Sequence, residues 1–404
     1  MVIEVVNKII GDSSESLFYN LKNCESDMVS RNIFFTAILI LFFSINDYAQ
    51  LSSSITTEYE YNDNPFRTKY ALKTSIYSLN YELGYDFDLL AVNYSGSFIS
   101  FSSDAARNFY VHQFSAMKSF DNSFLGAYVE QRFGKDIYNY FDYTNALMFY
   151  NFNTNFKYLF IRLSSNLSIT NYPNITILNN LKYSANIFLN YGFESGTTLI
   201  YGSSFNYKKY LNPSQSGTYS YFNESNQLVT ESYLDKNISY VIQSLNYIRV
   251  AQSITPTTGI AFQFTNRSIL NSGFNSYVKD VSMIYGDESE IFDDPVNYEG
   301  NNILAELTKI ILNDFTIKLG FYFNRKFYPS QGIYDENLNY INDYMRNDKQ
   351  KIFNVMLKKD FVFGKEEEMD LSILFNYQHI KNVSNSELFN YSNNSLSIGI
   401  GLSF

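Results

Sequence analysis

The chain of 404 residues has no tryptophan, one cysteine, two histidines and six prolines, and only 17% of it is charged. Its lone cysteine, Cys24, cannot form an internal disulfide, and no apolar region precedes Leu21-Lys22-Asn23-Cys24 to make it a lipid-anchor site. If residues 1–49 are removed on maturation, no thiol nucleophile and no cysteine metal site remain. Two histidines, His112 and His379, leave little for histidine-dependent catalysis. No Gly-x-Ser-x-Gly, no His-Glu-x-x-His and no phosphate-binding glycine loop is present. A net charge of −10 argues against nucleic acid as a partner. No helical periodicity of useful length follows Gln50, and no Pro-rich or Ser-rich linker divides the chain.

What remains is an aromatic, weakly polar chain. It has 37 Tyr and 37 Phe, and its mean hydropathy of −0.21 fits neither a helical membrane protein nor a disordered one. Apolar and polar residues alternate at period two. Tyr77, Leu79, Tyr81, Leu83 and Tyr85 oppose Ser78, Asn80, Glu82 and Gly84; Phe315, Ile317, Leu319, Phe321 and Phe323 oppose Thr316, Lys318, Gly320 and Asn324. Sixteen strands are expected, near 53–62, 73–85, 89–101, 107–119, 123–133, 138–152, 155–170, 178–193, 197–208, 236–252, 256–269, 301–312, 315–327, 349–363, 368–380 and 392–404. Alternation is less clean near 107–119, 138–152 and 236–252. The connections alternate in length, with tight turns such as Asp121–Asn122 on one side and long loops at 209–235, 270–300 and 328–348 on the other. An even strand count puts both termini on the short-turn side.

The last strand is the clearest. Leu396, Ile398, Ile400, Leu402 and Phe404 face one way, and Ser397, Gly399, Gly401 and Ser403 the other. An apolar face for lipid and a small polar face for a watery lumen, ending on Phe404, resemble the C-terminal signature of bacterial outer-membrane β-barrels. The resemblance implies an all-β fold: a transmembrane antiparallel up-and-down barrel of about 16 strands (14–18) over residues 50–404, porin-like, with no specific family singled out. It implies that Phe404 is read by the barrel-assembly machinery, and that lipid of the cell outer membrane is a partner. The soluble counterpart is the final strand of a β-sandwich, which has no reason to sort its loops by length.

Near the start, Arg31 precedes an apolar run, Ile33–Phe43, and Ala49 offers a cut site. The segment 28–49 reads as a signal peptide, too short to span a bilayer comfortably, with Asp47 a poor fit near the cut. Residues 1–27 precede Met28 and read as a mis-called start, the alternative being a real cytoplasmic leader.

Candidate site residues follow from the alternation. Glu82, Glu130, Arg132, Arg162, Lys182, Glu306, Lys318, Lys358, Asp360 and Asp370 are expected to line the lumen, five acidic and five basic. Opposed wall charges select solutes in pores, but the same charges could merely pair with each other. An acidic external loop carries Asp287, Glu288, Glu290, Asp293, Asp294 and Glu299; clustered oxygens suit a hard cation, but EF-hand spacing is lacking and no metal is assigned. No cofactor is expected and no catalytic site; His379, with Ser384 and Ser386 near it in sequence, is the weak exception. Tyr61-Asn62-Asp63-Asn64-Pro65-Phe66-Arg67 resembles the segment ending the first strand of several poorly characterised outer-membrane barrels, some linked to surface export, though Asn-Asp-Asn-Pro is also plain turn chemistry. The expected function is diffusion of small hydrophilic solutes. The alternative is a non-conducting barrel that acts as a partner in the export or assembly of surface polymers or proteins.

Overall fold

The computed structural model describes residues 50–404, apart from 68, 88–89, 213, 223–227, 237–238, 274–297, 312–314, 330, 338, 342 and 364–368. The leader, the signal-peptide segment, Cys24 and the acids Asp287, Glu288, Glu290, Asp293 and Asp294 lie outside the described residues.

Nine strands follow one another as antiparallel neighbours: β1 (Gln50–Asn62), β2 (Thr74–Phe87), β3 (Leu90–Phe101), β4 (Phe109–Ser119), β5 (Ser123–Gly134), β6 (Tyr143–Phe156), β7 (Leu159–Asn171), β8 (Asn180–Gly192) and β9 (Thr197–Tyr210). A separate hairpin, β10 (Ser214–Phe222) and β11 (Leu228–Lys236), precedes β12 (Tyr240–Thr255), β13 (Thr258–Ser272), β14 (Glu299–Ile311) and β15 (Phe315–Tyr328). A second, very short hairpin, β16 (Ile333–Tyr334) and β17 (Tyr340–Ile341), leads to β18 (Arg346–Phe363), β19 (Met369–Ser384) and β20 (Tyr391–Ser403). Setting the two hairpins aside, sixteen strands close into one barrel, with β20 paired back to β1. Closure removes the open edges that would otherwise recruit other chains.

The pairing confirms the period-two reading. Tyr59 stands opposite Tyr77 and Ile398, and Phe375 opposite Ile398, so apolar rows run across the seam on one face. Ile398, Phe262 and Phe114 are about half exposed, at 50%, 58% and 55%. Such apolar surface is costly in water and at home in hydrocarbon, so this face is the outer wall of a transmembrane barrel. At the short-turn end it closes on a girdle of rings: Phe87, Phe120, Phe156, Phe193, Phe361 and Phe404 are all exposed. Turns such as 157–158 and 256–257 lie at this end, with Gln50 and Phe404; the long connections lie at the other.

Differences from the sequence reading have local causes. The loops 209–235 and 328–348 hold the β10–β11 and β16–β17 hairpins. The strand expected near 107 begins at Phe109, because Asp104 caps a 3-10 turn at Ala105–Arg107 by accepting the Ala106 N–H at 3.0 Å. The one expected from 138 begins at Tyr143, after a 3-10 turn at Asp136–Phe141. Beside β12, a register shift opposite Ile242 and Gln243 leaves Leu270 of β13 as the extra residue, while β12 stays in regular register with β9; its pattern looked unclean because Val241, Leu245 and Tyr247 put apolar side chains on the inner face. Glu299 is a correction: it opens strand β14 instead of belonging to the acidic loop, and its Oε2 accepts the Ile269 N–H at 3.3 Å.

Candidate functional site

The inner wall is the candidate site, and the ten charges expected to line the lumen all fall on it by register. Glu130 and Arg132 alternate with the exposed Val129 and Phe133; Lys318 alternates with Phe321 parity; Lys358, Asp360 and Asp370 alternate with Phe361 and Met369. Glu82 is opposite Ser54, Arg162 opposite Phe188, and Lys182 opposite Ser168.

They do not form one constellation. The charged centre is Glu306, whose Oε1 accepts Arg249 Nη2 at 2.9 Å and whose Oε2 lies 3.0 Å from Lys318 Nζ. Arg249 is on β12 and Glu306 on β14. Between them on β13 stands the small, buried Ala261, directly opposite both Ala251 and Glu306, and its lack of bulk lets the arginine reach across. The Glu306 side chain is 9% exposed, while Lys318 is 42% exposed, so one carboxylate is shielded by two cations that still meet water. Lys358 pairs with Asp360 at 3.0 Å, both about two-fifths exposed. Glu130 accepts the Tyr143 hydroxyl at 2.8 Å. Arg162 donates through Nε to Asn153 at 2.9 Å and lies over the Phe160 ring.

Several inner-wall residues were missed by the sequence reading. Glu58 and Glu60 share the face opposite Tyr59 and Tyr61, and the alternation could have found them. Arg249, between the exposed Ile248 and Val250, was hidden because the inward Leu245 and Tyr247 before it blur the apolar-polar contrast of β12. Four inward rings, Phe124, Phe149, Phe160 and Phe188, stand on β5 to β8 towards the short-turn end, in two edge-to-face pairs. Gly126 is opposite Phe149, which lies where a Cβ would stand.

Beside Glu306, a cavity of about 440 Å³ opens on the wall formed by β1, β14, β15 and β18 to β20. Its lining is amide-rich: Asn62, Asn354, Asn376, Gln378 and Asn393 accompany Glu60, Arg67, Glu306 and Lys318. Amides donate and accept, so such a wall can exchange hydrogen bonds with a passing polar solute.

At the long-loop end the inner wall is covered. Tyr328 and Gln243 are fully buried, and Asp348 and Asn382 are 2% exposed. In one sector Arg346 grips Asp348 at 2.5 Å, lies over the rings of Tyr328 and Phe389, and donates to Gln331, so these residues from the two connections pack around one guanidinium. Across the barrel, Arg132 lies over Phe109 and Phe141 and donates to the Phe141 carbonyl, beneath a cluster of Phe141, Ile175 and Ile177. These folded-in connections narrow the mouth. Asp142 sits among them, accepting the Gly134 N–H. Burial pushes its carboxyl from the ordinary 3.8 up to about 6, against the opposing pull of that N–H and of Arg132. Its raised value means that the proton favours the folded loop; this contribution is whole below about pH 4 and is lost as the pH rises through about 6. Amide exchange in 135–142, corrected for intrinsic rate, should therefore be slower at pH 5 than at pH 7.5, and Asp142→Asn should flatten that difference.

The segment Tyr61–Arg67 acts as a clasp at the closing seam. Asp63 accepts Asn394 N and Nδ2 at 2.6 and 2.7 Å, and Asn393 Nδ2 donates to Asn62 and to the Asn64 carbonyl. His379 Nδ1 pairs with Asn394 Oδ1 at 2.8 Å on the outer face, and neither nearby serine joins it: Ser384 Oγ accepts Ser386 N, and Ser386 Oγ accepts Tyr334 N. His112 pairs with Tyr94 at 2.8 Å, also on the outer face. Among the described residues no group of three or more His, Cys, Asp or Glu is placed to hold a metal ion.

No family model matches the chain, and no curated protein matches it. It is similar in shape to solved outer-membrane barrels. OccAB1 of Acinetobacter baumannii is 10% identical, with 88% of this chain and 96% of that one covered and a TM-score of 0.49. OpdK of Pseudomonas aeruginosa, solved with vanillate, is 8% identical over 88% and 99%, with a TM-score of 0.47. A structure described as a bacterial polysaccharide outer membrane secretin is 8% identical over 87% and 97%, with a TM-score of 0.46.

Proposed function

We propose that this protein is a porin-like channel of a bacterial outer membrane, passing small hydrophilic solutes through its lumen. One observation carries the reading: a closed barrel of sixteen strands holds its charges and amides on the inner wall and its apolar rows on the outer. A barrel of this strand number is too wide for wall side chains alone to fill, so water enters wherever loops leave room. Inner-wall charges stay wet towards the short-turn end, as Lys358 and Asp360 show. Acids gather on one sector of the wall (Glu58, Glu60 and Glu82 on β1 and β2) and bases on another (Arg162, Lys182 and Arg249 on β7, β8 and β12), so the channel orients polar solutes without strong preference for one sign. The folded-in loops make the mouth at the other end the selective step. Conductance across a planar bilayer tests the reading.

Phe404 supports assembly in two ways. Its backbone closes the seam, with N donating to Ser53 O at 3.0 Å and O accepting Ser53 N at 2.8 Å, while its ring is 57% exposed. The exposed ring is free to be read by an assembly partner. Phe404→Ala should therefore lower the amount of barrel assembled in cells several-fold yet leave refolding into lipid vesicles nearly unchanged, as read by the heat-dependent gel shift of the folded form.

A further inference from the structure

On the outer wall, beyond the apolar rows at the long-loop end, the register sets bases face to face. Arg325 of β15 stands directly opposite Lys349 of β18, and Lys351 of β18 directly opposite Lys381 of β19. All four are exposed and share the outward parity of Phe321 and Phe353. Like charges directly opposed on one face of an antiparallel pair repel, and here two such pairs adjoin. No acid among the described residues lies in ion-pair distance of any of the four; Arg325 only lies over the Phe323 ring, at 5.7 Å. Three nearby carboxylates of the described rim are engaged elsewhere. Asp348 faces inward onto Arg346, Glu387 is held by Lys69 at 2.7 Å, and both oxygens of Asp63 accept from Asn394. Glu299 shares a concavity of about 340 Å³ with Arg325, but its carboxylate turns to the Ile269 N–H.

Uncompensated repulsion at this height has one natural remedy, since the patch continues directly from the lipid-facing rows of Phe323, Phe353 and Phe375. We infer that Arg325, Lys349, Lys351 and Lys381 form a docking surface for the phosphate groups of anionic lipid headgroups in the leaflet on the long-loop side. Adjacent strands lie about 4.8 Å apart, so a phosphate seated between two opposed bases meets both. It turns their repulsion into attraction while its acyl chains lie along the apolar rows below. The inference rests on the transmembrane reading of the barrel and is independent of whether the lumen conducts.

The test uses the folded full-length barrel in phosphatidylcholine vesicles with increasing phosphatidylglycerol, reading the temperature at which the heat-dependent gel shift is lost. Two variants are compared with the parent: Arg325→Gln/Lys349→Gln/Lys351→Gln/Lys381→Gln, and the milder Lys351→Gln/Lys381→Gln. In phosphatidylcholine alone the variants should be at least as heat-stable as the parent, because repulsion has been removed. Phosphatidylglycerol should raise the parent's transition; the double variant should need a many-fold larger fraction for half of that gain, and the quadruple variant should gain little over the same range. Inorganic phosphate at matched ionic strength should not replace the lipid. An equal gain in parent and quadruple variant, or the same gain from free phosphate, would overturn the inference. A parent that enters neither kind of vesicle would overturn the transmembrane reading along with it, whereas a barrel that inserts and gains stability but carries no current would count against the channel alone.

Discussion

Ile398→Arg should abolish efficient insertion of the barrel, while Ser397→Arg, one residue away, should largely permit it. Ile398 is half exposed on the outer face, between Tyr59 of β1 and Phe375 of β19, in the middle of the apolar rows. A guanidinium there must enter hydrocarbon, at a cost of roughly 2–4 kcal/mol near the midplane. Ser397 faces inward, directly opposite Glu60 and Asn376. An arginine at that position has a carboxylate across the strand and the wet lumen beyond. Folding yield into vesicles of defined thickness separates the two. Equal yields would contradict the assignment of faces on which every lumen residue depends.

Glu306→Gln should turn the channel towards anions. The parent carboxylate holds both Arg249 and Lys318, so that level of the wall carries one net positive charge; the amide leaves two. A unit charge acting through water at about 4 Å is worth about 1 kcal/mol, so the anion-to-cation permeability ratio should rise roughly fivefold at low salt. Raising the salt should shrink the change, since partly exposed cations are screened. Reversal potentials in a salt gradient provide the number. The variant should still fold, because Lys318 can turn to water and the glutamine oxygen can still accept from Arg249. An unchanged ratio would place the ion path away from this triad.

How much of this was legible in the sequence follows from the physics of a two-faced sheet. Strand number, the sorting of turns from loops and the closing role of the last strand were all readable, because lipid on one side and water on the other impose period two on every strand. Ends of strands were not readable where the chain leaves the sheet by a 3-10 turn, as before Phe109 and Tyr143, since capping by Asp104 and local packing decide those points. The site was readable one strand at a time. Glu306 and Lys318 could each be assigned inward, but their meeting with Arg249 depends on the barrel register and on the smallness of Ala261 on the strand between. The inward rings Phe124, Phe149, Phe160 and Phe188 ran against the expectation that apolar residues face lipid. In the Tyr61–Arg67 segment, turn chemistry was visible, but not that its side chains reach Asn393 and Asn394 at the far end of the chain.

The central claim is an aqueous path through the lumen. The most direct measurement is current through the purified, folded barrel in a planar bilayer, with insertion verified independently by the heat-dependent gel shift of the same sample. Discrete conductance steps, with a weak ion preference that moves towards anions in Glu306→Gln, are the predicted result. A verified, inserted barrel that passes no current at all would contradict it and favour a role as a closed partner in export at the cell surface.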